Sequence, residues 1–146
     1  MSYASAVNHV TFRHPADMKP LECGWVYIAP NNPTSCPLGD GFCCIFFRSS
    51  DNGETGTMSL ISTNLSLYTG GVQRTSVTVD GVTGTRLSGT QTFGMGVGPQ
   101  VEYDFKTGGR TYNLFAYAGG QSDSVDPVAP SAAVFDQIVQ TATFTP

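Results

Sequence analysis

The clearest pattern in the chain is an alternation. Val101, Tyr103 and Phe105 alternate with Glu102, Asp104 and Lys106, which predicts a half-buried strand with the charged residues outward. The same period of two marks His9–Arg13, stopped by His14-Pro15, and Gln73–Val79, whose Asp80-Gly81 turn returns the chain through Val82–Leu87. Gly24–Ala29 is a further strand, ended by Pro30. Phe42–Phe47 is a continuous apolar run, too short for a buried helix and suited to a central strand. Thr90–Val97 alternates as well and is read as broken by Gly98-Pro99. In Arg110–Ala118, Tyr112, Leu114 and Ala116 share one face while Phe115 and Tyr117 share the other.

Helical spacing appears twice. Met58, Ile61, Leu65 and Tyr68 form a stripe over Thr57–Tyr68, ended by Gly70-Gly71. Ser131 caps a terminal helix with Val134, Phe135, Ile138 and Val139 on its apolar side, and Thr143–Thr145 follows as an extended segment. Pro15–Cys23 and Asn31–Gly41 read as loops. The order predicts an α+β domain, an antiparallel sheet covered by helices, with a flexible N-terminus over residues 1–8 and one domain over 9–146.

Composition narrows the partners. The net charge is −4, and Lys19 and Lys106 are the only lysines. No basic stripe exists to neutralise phosphates, so nucleic acid is not an expected partner. No apolar run approaches a membrane span, and no basic stretch followed by an apolar one opens the chain. Cys23, Cys36, Cys43 and Cys44 crowd the first third. Four cysteines allow three pairings, and a bridge between the adjacent Cys43 and Cys44 would be strained. If both bridges form, Cys23 and Cys36 each take one of that pair; one of the pair is otherwise a buried thiol. Disulfides point to an extracellular or cell-envelope location, with any export signal or anchor outside this chain.

Several stretches resemble one family. His9–Asp17 resembles the opening strand of PsbP-like domains, although Met18 stands where a tryptophan commonly follows. Val79–Arg86 resembles their glycine-turn hairpin, and Arg110–Tyr117 with Val134–Phe144 resembles their final strand and closing helix. The superfamily includes an extrinsic photosystem protein, a nuclear protein that binds the Ran GTPase, and small exported bacterial lipoproteins. The resemblance implies an α/β/α sandwich and a non-enzymatic binding role. The cysteines fit the exported bacterial branch, and the resemblance transfers no partner.

Catalytic signatures are sparse. His9 and His14 fall on opposite faces of an extended segment, and neither has zinc-like cysteine spacing. Gly94–Gly98 is followed by Pro99 and a strand rather than by the helix of a dinucleotide fingerprint. Asp123 and Asp126 lack an EF-hand pattern. No catalytic, metal or cofactor residue is therefore assigned. The expectation is an exported domain that engages a protein partner. The alternative is a carrier of a small apolar ligand in a sheet–helix groove lined by Trp25, Tyr27, Phe115 and Tyr117, with an enzyme of unrecognised site a more distant third.

Overall fold

Two antiparallel sheets and one helix account for the regular structure in the computed structural model, which describes residues 1–23, 25–29, 45–51, 68–93, 96–117 and 132–145. The strands are β1 (Ser2–Ser5), β2 (Val10–Arg13), β3 (Lys19–Cys23), β4 (Trp25–Ala29), β5 (Ile45–Asp51), β6 (Tyr68–Val79), β7 (Val82–Phe93), β8 (Gly96–Thr107), β9 (Arg110–Tyr117) and β10 (Thr143–Phe144). The helix α1 spans Ala132–Gln140. The large sheet has seven strands in the order β3-β4-β5-β9-β8-β7-β6, and the small sheet three in the order β1-β2-β10.

The expected α+β arrangement, and with it the α/β/α sandwich, is overturned. Among the described residues the chain is almost entirely antiparallel sheet with a single nine-residue helix, and helices do not cover the sheets. Instead the small sheet and α1 pack together on one face of the large sheet. The core between them holds Val10 and Phe12 of β2, Val101, Tyr103 and Phe105 of β8, Tyr112 and Leu114 of β9, Phe135, Ile138 and Val139 of α1, and Phe144 of β10. Burying each large apolar side chain is worth about 1.5–3 kcal/mol, so the three buried residues of α1 are enough to seat a helix too short to persist alone.

Local chemistry explains the elements. Asp80 and Gly81 both have positive φ, 51° and 73°, which gives the type I′ turn whose twist suits a hairpin. The Asp80 carboxylate also accepts the Phe144 amide at 3.0 Å, fixing the small sheet to the tip of the β6–β7 hairpin. Gly84 of β7 lies directly under Phe105, where a Cβ would collide with the Phe105 ring and the Asp104 carbonyl oxygen.

Four expectations change at the level of single segments. Ser2–Ser5, within the supposed flexible N-terminus, is a strand paired with β2 along its whole length. Lys19–Cys23, within the Pro15–Cys23 stretch read as loop, is an edge strand, where Pro20 is tolerated. Gly70 and Gly71 do not end a helix: both have positive φ and form a bulge in β6, across which the register to β7 shifts between Thr69 and Val72. Gly98-Pro99 does not break β8. Pro99 pairs with Thr90 of β7, and the ladder to β9 begins only at Gln100, so β8 has one described partner at that position. Of the predicted helix Thr57–Tyr68, residues 57–67 lie outside the described residues, and Tyr68 is not helical but opens β6.

Candidate functional site

The two faces of the large sheet differ in chemistry. On the core face the ionisable groups tie layers together. Arg86 of β7 and Tyr103 of β8 stand opposite each other in the ladder, and Asp136 of α1 reaches both. Arg86 Nε and Nη2 donate to the two Asp136 oxygens at 3.2 and 3.1 Å, Nε also donates to the Tyr103 hydroxyl at 3.0 Å, and that hydroxyl donates to Asp136 Oδ1 at 2.6 Å. Burial, followed by the hydrogen bond to the Asp136 carboxylate, pushes the Tyr103 phenol up to about 12. A phenol so held keeps its proton and serves as a connector.

Glu22 of β3 makes the second tie. Its carboxylate accepts from the Tyr3 hydroxyl at 3.1 Å, from Asn8 Nδ2 at 3.1 Å and from the Ser5 hydroxyl. Ser5 Oγ in turn accepts from the Asn8 amide at 3.0 Å. Ser5 and Asn8 are buried, so this network satisfies groups that would otherwise be left without partners, and it joins the small sheet to the large one.

Both histidines bond to carbonyls. His14 Nδ1 donates to the Pro15 carbonyl at 2.8 Å, and His9 Nδ1 to the Thr145 carbonyl at 3.1 Å. His14 lies between two surface clefts of about 550 and 290 Å³ beside the N-terminal strand. Among the described residues no group of three or more His, Cys, Asp or Glu is placed to hold a metal.

The second face is different. Leu87, Glu102 and Asn113 are buried there, with Glu102 at 0% and Asn113 at 1% exposure. The alternation of β8 had assigned Glu102 to solvent. Asn113 Nδ2 donates to Glu102 Oε1 at 2.5 Å and to Asp104 Oδ1 at 2.7 Å. These two bonds fix the amide orientation, because only the NH₂ end can face two carboxylates. The Asn113 carbonyl oxygen is then left buried with no hydrogen-bond partner among the described residues. An unpaired buried acceptor of this kind costs about 1–3 kcal/mol.

Around this polar centre the ladder sets apolar positions. Tyr27 of β4 stands opposite Phe46 of β5, Phe46 opposite Phe115 of β9, Phe115 opposite Glu102 of β8, and Glu102 opposite Leu87 of β7. Tyr27 and Phe115, two of the four residues expected to line an apolar groove, thus share one cross-strand row with Glu102. Trp25 and Tyr117 each lie two residues along from a member of that row, in β4 and β9. Cys23 ends β3 opposite Trp25, whereas Cys36, Cys43 and Cys44 lie outside the described residues.

Sequence reasoning missed Glu102, Asp104 and Asn113 as a unit. The available signal was a pair of carboxylates two apart in a chain with only 12% charged residues, but nothing in a single strand pointed to Asn113 across the hairpin.

Comparison with known proteins gives a fold and no family. No family model matches the chain, and no curated protein matches it. Among solved structures it is similar to a crystal structure from Bacteroides thetaiotaomicron VPI-5482, with a TM-score of 0.59 at 9% sequence identity, over 99% of this chain and 48% of that one. The chain therefore spans about half the length of that protein, and what the two share is the fold.

Proposed function

We propose that the chain is a non-catalytic binding domain that carries a small ligand on the second face of its large sheet. Two binding roles were expected from the sequence, engagement of a protein partner and transport of a small apolar molecule. The geometry supports the second, with one amendment: the ligand combines an apolar body with a hydrogen-bond donor. The observation that carries this reading is the buried Asn113 carbonyl oxygen, which has no hydrogen-bond partner among the described residues. It lies on the same sheet face as the row that contains Tyr27, Phe46 and Phe115. Aromatic positions beside a small number of fixed polar groups are the usual make-up of a small-molecule site. The ionisable clusters of the core face support a binding role in a different way, since Arg86, Asp136 and Glu22 are engaged in joining layers.

A matched pair of probes tests this. 1-Aminonaphthalene carries an N–H donor on a flat apolar body, and naphthalene is the same body without it. The donor-bearing probe is expected to bind about fivefold more tightly, the value of roughly one net hydrogen bond. Equal affinity for the two, or binding of neither, would overturn the assignment and leave a buried water as the partner of Asn113.

A further inference from the structure

We infer that β6 is a self-association edge, pairing antiparallel with β6 of a second copy of this chain over Val72–Thr78, about a twofold axis at Thr75. The two edges of the large sheet are unequal. β3 carries Pro20, which cannot donate to a ladder. β6 is twelve residues long, contains no proline, and carries Arg74 as its one charge. Among the described residues its only partner is β7. The consecutive residues Gln73, Arg74, Thr75 and Ser76 are all exposed, so the strand is open on both faces at once. Long edges of this kind are templates for another strand unless bulges, charges or prolines protect them.

The protections present here define a register. The bulge at Thr69–Val72 limits regular pairing at one end, and the Asp80-Gly81 turn limits it at the other. The straight stretch between them is centred on Thr75. A twofold axis perpendicular to a sheet keeps each residue on its own face, so the axis must pass through a residue rather than between two. With the axis at Thr75, Val72 faces the second copy's Thr78, Gln73 its Val77, Arg74 its Ser76, and Thr75 its own equivalent. Thr–Thr and β-branched pairs are favourable cross-strand neighbours. An axis at Arg74 would set like charges directly opposite each other, which is unfavourable. With the axis at the centre of the straight stretch the edge is complementary to itself along its whole length, and a second copy supplies that matching strand.

Sedimentation of the full chain from micromolar to millimolar concentration should show a reversible dimer. Thr75→Lys, which opposes two lysines on the axis, should weaken it about tenfold or more while leaving the far-UV circular dichroism unchanged. Thr75→Cys should cross-link on mild oxidation into a dimer much faster than either the wild-type chain, with its native cysteines, or Gln73→Cys. A chain that stays monomeric over the whole range overturns the inference. So does a dimer whose affinity Thr75→Lys leaves intact, or one in which Thr75→Cys cross-links no faster than Gln73→Cys. The Cys variants keep the test decisive if the Lys variant fails to fold.

Discussion

Tyr103 shows how a single residue joins three elements. Its ring stacks on Phe105, meets Phe135 of α1 edge-on at 5.6 Å, and its hydroxyl lies between Arg86 and Asp136. Its pKa, raised from 10.0 to about 12, couples this contact to pH. The folded phenol keeps its proton where the unfolded one loses it. Its contribution to stability is therefore complete below the unfolded value of 10.0 and is lost as pH rises towards about 12. Asp136→Asn removes the carboxylate that both accepts the Tyr103 proton and repels the phenolate. We expect that variant to titrate Tyr103 at lower pH and to lose less stability over the same window. Phenolate absorbance, together with denaturant melts on either side of the window, measures both effects; identical profiles for the two proteins would contradict this account of the shift.

At the scale of elements, the sheet depends on how closely its strands approach. Gly84 lets the Phe105 ring lie across β7, an arrangement in which an aromatic side chain covers a strand glycine. Gly84→Ala should destabilise the fold by about 1–3 kcal/mol, the usual cost of overpacking, because one of the colliding atoms is the Asp104 backbone oxygen and cannot swing aside. Chemical denaturation gives the number, and an unchanged midpoint would show that β7 and β8 can separate locally. Elements with a local signature were legible in the sequence: the β6–β7 turn from Asp80-Gly81, the alternation of β8, and α1 from its apolar stripe. What failed were positions where tertiary context reverses a local rule. Gly70-Gly71 reads as a helix stop but makes a bulge, Pro20 is tolerated because β3 is an edge, and Pro99 stands one residue beyond Gln100, where the described ladder between β8 and β9 stops. The candidate site was half legible. Tyr27 and Phe115 were named from their aromatic character, whereas Asn113 joins Glu102 and Asp104 only once β8 and β9 are in register.

Across the described residues, polar ties attach the small sheet to the large one at both ends: the Glu22 network at β3 and the Asp80–Phe144 bond at the hairpin tip. Between them lies an aromatic core in which Phe144 meets Phe105 at 5.0 Å and Tyr112 at 4.6 Å. One face of the large sheet is thus committed to holding the small sheet and α1, and the proposed ligand site lies on the other, where Leu87, Glu102 and Asn113 are buried. Among the described residues no helix is long and apolar enough to cross a membrane. The proposal of an exported protein, drawn from the cysteine cluster, makes its own prediction: thiol titration of the native protein under denaturing conditions should find fewer than the four free thiols that Cys23, Cys36, Cys43 and Cys44 would supply if all were reduced. Four free thiols in freshly isolated protein would remove that argument.

The central claim is that Asn113 marks a ligand site on the second face. A crystal structure of the protein soaked with 1-aminonaphthalene tests it most directly. The claim predicts continuous density for the ring system on that face, with the amino nitrogen within about 3 Å of Asn113 Oδ1. An isolated water, or a donor from the protein itself, bonded to that oxygen with no probe beside it would contradict the claim.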